Sequence, residues 1–235
     1  MQNLRAALVV PTLLLSFCAF AEGSTREETR DVSDFHGVEV GGGIKAQVTI
    51  GPKSVRVSGD DKQVSLLRTE VEDGKLVVNM DKKSWGENIS SKGVRVVIST
   101  PKLTHVGASG GAEVEAEATS AESFSVDSSG GSELTVRKLD TKRLEVEVSG
   151  GGEVTLKGRA DSAEVEASGG AEVHAKELSL KSLEVEGSGG VSVDANPSES
   201  IKAELSGGSS VHADSAPARR KVSASGGSQV VFGKE

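Results

Sequence analysis

The segment Leu144-Glu145-Val146-Glu147-Val148-Ser149-Gly150-Gly151-Gly152-Glu153-Val154-Thr155-Leu156 decides the fold. Apolar and polar residues alternate on both sides of a glycine turn. Alternation with period 2 marks a half-buried strand, because successive side chains point to opposite faces of a sheet. The Ser-Gly-Gly at its centre is one of seven copies, beginning at Ser109, Ser129, Ser149, Ser168, Ser188, Ser206 and Ser225. The steps between them are 20, 20, 19, 20, 18 and 19 residues. A near-constant period of this size is the mark of a repeat architecture.

Aligned on the serine, the copies sort by chemistry. Three residues before it stand Val106, Val126, Val146, Val165, Val185, Ala203 and Val222. Five residues after it stand Val114, Leu134, Val154, Val173, Val193, Val211 and Val230. Each repeat therefore reads as strand, tight Gly-Gly turn, strand, looser turn; glycine reaches positive φ without steric cost. A series of hairpins would favour Asn-Gly or Asp-Gly turns and would not need equal repeat lengths. Equal lengths are what a solenoid needs, since each coil must lie in register on the next. About 20 residues at roughly 3.3 Å each give a perimeter of about 65 Å, enough for one compact coil. The fold expected is all-β, a single-stranded parallel β-helix (β-solenoid) with coils of about 20 residues.

Composition agrees. The chain of 235 residues holds 29 glycines, no tyrosine and 3% aromatic residues, which suits a narrow core of stacked Val, Leu, Ile and Ala. Residues 1–21 read as a signal peptide: Arg5, a largely apolar stretch from Ala6 to Ala19, and an A-x-A pattern at Ala19-Phe20-Ala21. The apolar stretch is too short to span a bilayer. Cys18, the one cysteine, lies inside it. Phe17 before that cysteine argues against a lipid anchor, and the mature chain is expected to have no thiol or disulfide chemistry. Cleavage near Ala21 would leave 26 basic against 35 acidic residues, a net charge of −9. An acidic chain poor in aromatics is a bad candidate for nucleic acid. An extracytoplasmic location is expected: periplasm, outer-membrane surface or secreted.

Residues 22–30 read as a flexible leader and 31–232 as the β-helix domain. Within it, 31–104 are divergent N-terminal coils or a cap, and 105–232 carry the Ser-Gly-Gly repeats. Asp81 to Gly93 reads as a polar loop holding Trp85. No cap is visible after Val230-Val231-Phe232, so the last coil is expected to expose a strand edge, open to pairing with a second copy.

At this point the chain resembles the head GIN domain family of putative auto-transporter adhesins. The resemblance rests on Phe35-His36-Gly37-Val38-Glu39-Val40 with its following glycines, on Val55-Arg56-Val57-Ser58-Gly59-Asp60, on Val71-Glu72-Asp73-Gly74-Lys75-Leu76-Val77-Val78, on Ile98-Ser99-Thr100-Pro101-Lys102-Leu103, and on the Ser-Gly-Gly repeats. It covers roughly Asp31 to Phe232. It implies a β-helix and an extracytoplasmic location, and it carries over no catalytic residues.

Candidate sites are few. Two residues before the serine, Asp127, Glu147, Glu166, Glu186 and Glu204 form an acidic column. Coils about 4.8 Å apart would stack these carboxylates, and Ca²⁺ would relieve the repulsion. A second column adds Glu113, Glu133, Glu153 and Glu172. The preferred reading of both is a solvated face that keeps the solenoid soluble. The nine-residue repeat of calcium-binding β-rolls is absent. The histidines are His36, His105, His174 and His212; the last two share a column two coils apart, about 10 Å, too far for one metal, and are expected to be exposed. The Ser-Gly-Gly serines lack a positioned base, so they read as a hydrogen-bonded turn ladder and not as nucleophiles. Gly-Gly here is not a phosphate loop, because no helix follows it. No cofactor is implied. The function expected is a non-enzymatic adhesin-like module that binds an envelope or surface protein or a glycan. The alternatives are a polysaccharide-binding or polysaccharide-cleaving protein, or a periplasmic spacer.

Overall fold

The computed structural model describes residues 25–81, 91 and 93–233. The expected signal peptide and Trp85 lie outside the described residues. The strands are β1 (Thr25–Arg30), β2 (Gly37–Val40), β3 (Lys45–Ile50), β4 (Ser54–Asp60), β5 (Leu67–Glu72), β6 (Lys75–Met80), β7 (Arg95–Thr100), β8 (His105–Ser109), β9 (Glu113–Glu117), β10 (Ala121–Ser129), β11 (Glu133–Ser149), β12 (Glu153–Gly169), β13 (Glu172–Gly189), β14 (Ser192–Gly207), β15 (Ser210–Ala213), β16 (Arg219–Ala224) and β17 (Gln229–Phe232). A short helix α1 (Asp61–Ser65) follows β4, with Asp60 as its N-cap.

From β8 onward every pairing is parallel and joins one coil to the next. The chain is a β-solenoid with coils of about 20 residues. Parallel stacking keeps equivalent residues on top of one another, so each aligned column becomes a stripe of the folded protein. Val126 pairs with Val146, Val146 with Val165, and Val165 with Val185, all buried. A second inner stripe runs Phe124, Leu144, Ala163, Leu183, Ile201. Removing each such side chain from water is worth about 1.5–3 kcal/mol.

The two turns of each repeat differ. At the Gly-Gly turn Gly110 and Gly130 have φ of 59° and 64°, and a Cβ on Gly130 would stand 3.4 Å from the Gly110 backbone nitrogen in the coil below. In β11 to β14 the looser turn expected between strands is instead a corner inside one continuous strand, whereas between β9 and β10 and between β15 and β16 it separates two strands as expected. β11 runs 17 residues from one Gly-Gly to the next, and its register on β12 shifts between Val136 and Leu139. Such a bulge bends a strand without ending its ladder.

Residues 25–104 depart from the coil pattern. β2 and β3 form a coil on which β8 and β9 stack. On its other side β6 and β7 pair parallel with β2 and β3. Antiparallel strands then cover these: β5 on β6 through the Asp73-Gly74 turn, β4 on β7, and β1 on β4. The leader expected over 22–30 is corrected here for residues 25–30, while 22–24 lie outside the described residues. From Thr25 to Arg30 the chain is a strand paired along its whole length with β4. Arg30 Nη2 fixes it further by donating to the Val64 carbonyl, 2.8 Å away.

At the other end, β16 and β17 pair on one side among the described residues. Val222 and Val231 are exposed there. Arg220 takes the position of the inner stripe above Ile201 and lies over the Phe232 ring, 5.5 Å from its centroid.

Candidate functional site

One outer face of the solenoid carries the acidic column. Each carboxylate comes from the strand leading into a Gly-Gly turn, where alternation points every second residue outward. Asp127 pairs in register with Glu147, Glu147 with Glu166, Glu166 with Glu186, and Glu186 with Glu204. These five, with the adjoining serines, line a groove of about 530 Å³ that crosses five coils.

The serines expected to form a turn ladder do so mainly through their backbone carbonyls, and Ser225 Oγ also donates to the Leu205 carbonyl. Ser149, Ser168, Ser188 and Ser206 are exposed. The turn is held by backbone groups instead, with Gly110 N–H donating to Ser129 O and Gly130 N–H to Ser149 O. The hydroxyls that bind inside the turn stand three residues later. Ser132 Oγ donates to the carbonyls of Ala108 and Ser129, and Ser209 Oγ to those of Gly189 and Ser206.

The acidic column holds few cations, as does the outer pair Glu145 and Glu164, which also stack in register. Elsewhere the coils carry matched charges one turn apart: Lys142 with Glu122 at 2.6 Å, Lys181 with Asp161 at 2.8 Å, Lys138 with Glu117 at 2.7 Å and Arg137 with Glu115 at 3.3 Å. In the column, Lys202 reaches Glu204 at 3.1 Å and also pairs with Glu184. Among the described residues no Lys or Arg pairs with Asp127, Glu147, Glu166 or Glu186. Nor does any group of three or more His, Asp or Glu converge to hold a metal ion among the described residues. The carboxylates proposed for Ca²⁺ are a line with one group per rung, not a cage.

The second column stands as aligned, Glu113, Glu133, Glu153 and Glu172 in register. Lys45 compensates it at Glu113, and His174 Nε2 lies 3.6 Å from Glu153 and 3.7 Å from Glu172. His174 and His212 share a stripe with Asp194 between them, and both are part-exposed.

The N-terminal end of the acidic column holds a feature that sequence reasoning passed over. In register, Gly107 stands where an acid would, between Glu39 and Asp127. Beside it His105 is 8% exposed. Its Nε2 is 3.2 Å from Glu39 Oε1 and its Nδ1 3.6 Å from Asp127 Oδ2. Lys75 Nζ donates to Glu39 Oε1 at 2.8 Å. Burial lowers the basicity of His105, and the charge of Asp127 offsets this in part, leaving the imidazole below its usual range. Burial raises Asp127, with Glu147 on the next rung adding to the rise and His105 opposing it. Burial would raise Glu39 too, but the hydrogen bond and charge of Lys75 outweigh it and hold that carboxyl low. The missing acid at Gly107 was the signal available in the alignment.

A sequence profile described as a putative auto-transporter adhesin, head GIN domain, matches residues 34–217. The chain belongs to the head GIN domain family. The GIN fold recurs in crystal structures of a putative adhesin from Bacteroides fragilis NCTC 9343 (22% identity, 90% of this chain and 96% of that one, TM-score 0.78) and a putative adhesin from Parabacteroides merdae ATCC 43184 (18% identity, 90% and 97%, TM-score 0.67). It is also similar to a putative lipid binding protein from Parabacteroides distasonis ATCC 8503 (16% identity, 90% and 98%, TM-score 0.66). At these identities the likeness shows the shared GIN fold. No curated protein matches the chain in sequence. Among the described residues of this GIN domain, no helix is long and apolar enough to cross a membrane.

Proposed function

We propose that this GIN domain is an exported, non-enzymatic interaction module of the bacterial cell surface or envelope, binding through its acidic groove. One observation carries the reading: four stacked acids, Asp127, Glu147, Glu166 and Glu186, line one groove with no Lys or Arg paired to them among the described residues. Like charges directly opposite one another in a sheet are destabilising. Four adjacent rungs that keep them are accounted for by a partner that supplies the opposite charge. The adhesin description of the family supports the same reading. The exposed edge of β16 and β17 supports a second contact, with another copy of the chain.

The test is binding of the purified protein to whole cells and to isolated envelope fractions, with and without a calcium chelator. Saturable binding that is lost when Glu147, Glu166 and Glu186 are changed together to Gln supports the module. Loss on chelation would make Ca²⁺ the bridge. Absence of binding in every fraction would sink the reading and leave a spacer. A polysaccharide-cleaving protein is supported by the raised carboxyl of Asp127 beside His105; glycan cleavage abolished by Asp127→Asn would establish it.

A further inference from the structure

The two ends of the solenoid differ. At the N-terminal end β1 carries one side of the stack a strand beyond β5 on the other side, and α1 packs against β1 and β4. That end is stepped and covered. At the C-terminal end β16 and β17 form one coil, and each pairs on one side only among the described residues. Both offer a row of backbone donors and acceptors, the feature by which a sheet adds strands. Two valines mark this coil. Val222 continues the inner stripe above Ala203, yet it is 43% exposed. Val231 is 40% exposed and stands in an outer column that is otherwise polar, above Thr155, His174, Asp194 and His212. Each stands four residues from a turn glycine, Val222 before Gly226 and Val231 after Gly227. Both strands lie beyond residues 34–217, the part that the family profile matches.

We propose that this last coil is the interface of a symmetric dimer, two copies meeting end to end across a two-fold axis that passes by Val222 and Val231. The proposal rests on the edge contact named above, to which it gives a register, and not on the acidic groove. A two-fold axis across the end reverses strand direction, so β16 meets β16 of the second copy antiparallel, and β17 meets β17. Residues opposite one another then point to the same face, which leaves only registers centred on a residue. Charge chooses among them. Centred on Arg220 or Lys221, β16 sets base against base, which is destabilising. Centred on Val222, it sets Arg219 opposite Ser225, Arg220 opposite Ala224 and Lys221 opposite Ser223 of the second copy, with Val222 facing Val222. The small Ala224 leaves room for Arg220, whose guanidinium already lies over the Phe232 ring. On β17 the same axis sets Val231 against Val231 and Val230 against Phe232, an apolar run. Val222 and Val231 are equally far from the turn, so one axis serves both strands. Head-to-tail stacking fails by comparison, because at the stepped end β17 reaches β1 before β16 has a strand to pair with. A closed two-fold contact satisfies both open edges at once.

The experiment combines analytical sedimentation with cysteine cross-linking, in the full chain carrying Cys18→Ser, which removes its one thiol. Expected is a concentration-dependent dimer and nothing larger. Only a residue on the axis faces its own copy, at about 4.5–5.5 Å between Cα atoms, which is within disulfide reach. Val231→Cys and Val222→Cys are therefore expected to give covalent dimers on mild oxidation. Ser223→Cys lies diagonal to its copy, about 7–8 Å away, and is expected to cross-link far more slowly. Val231→Lys sets two ammonium groups face to face and raises the dissociation constant about tenfold. Val231 points outward, so its variants keep the test decisive if Val222→Cys fails to fold. Monomer at every concentration overturns the proposal. So do species that grow beyond the dimer, which mark head-to-tail stacking, and Ser223→Cys cross-linking as fast as Val231→Cys. A dimer that dissociates in the triple variant Glu147→Gln, Glu166→Gln, Glu186→Gln overturns it too, and assigns the basic edge of one copy to the acidic groove of another. Envelope binding through the groove is measured separately, so the module reading stands or falls by its own test.

Discussion

His105 Nδ1 lies 3.6 Å from Asp127 Oδ2, across the junction between β8 and β10. The contact joins the last coil shared with the N-terminal strands to the first of the regular repeats. Its pH dependence has a definite sign. Burial holds the folded-state imidazole below its ordinary value of 6.5. The unfolded chain therefore binds the proton first as pH falls, and the stability present above about pH 6.5 is lost as pH drops through that range. Thermal unfolding between pH 8 and 5 is expected to show this fall, and His105→Asn to flatten it. An equal slope in the variant would contradict the assignment. Asp127, raised by burial, acts in the opposite sense at lower pH: its cost appears as pH rises above 3.8 through its folded value.

The bare acidic column predicts a salt effect. The screening length falls from about 30 Å at 0.01 M salt to about 10 Å at 0.1 M. The melting temperature is expected to rise over that range, as repulsion between rungs is screened. The triple variant Glu147→Gln, Glu166→Gln, Glu186→Gln is expected to melt higher at low salt, by about 0.2–1 kcal/mol per relieved pair, and to respond less to added salt. Calorimetry at two salt concentrations measures both.

The bulged corner predicts a backbone effect. Gly158 has φ of 134°, and a Cβ there would stand 2.3 Å from the Leu139 carbonyl oxygen of the coil below. Gly158→Ala is expected to cost about 3 kcal/mol, combining strain and overpacking. Denaturant unfolding checks it. A loss under 1 kcal/mol would mean the corner relaxes freely.

The inner stripe predicts a packing effect. Phe124 is among the largest fully buried side chains and heads the stripe above which Leu144 stacks. Phe124→Ala is expected to cost about 3–5 kcal/mol. In the same assay, run on dilute protein, Val222→Thr on exposed β16 should stay within about 0.5 kcal/mol.

Much of the fold was legible because a solenoid converts sequence period directly into contact. Val146 and Val165 are 19 residues apart and touch because one coil takes 19 residues there. The acidic column was legible for the same reason. Residues 25–104 were less so, because antiparallel pairing of β4 with β7 and of β1 with β4 follows no period. Thr25–Arg30 carries a charge at most of its positions, and nothing local distinguishes it from a leader; its strand exists because β4 offers an open edge. In β11 to β14 the looser turn was misjudged because a bulge needs no punctuating Pro or Asn to bend a strand.

The sequence by itself determined the coil length, the inner apolar stripes and the outer row of acids, since these follow from alternation and repeat alone. Tertiary structure alone decided which acids go unpaired. Whether Lys202 meets Glu184, or His105 lies against Glu39 and Asp127, depends on register between coils and on side-chain direction. Those distances arise only when distant segments stack, and charge pairing falls away steeply with distance.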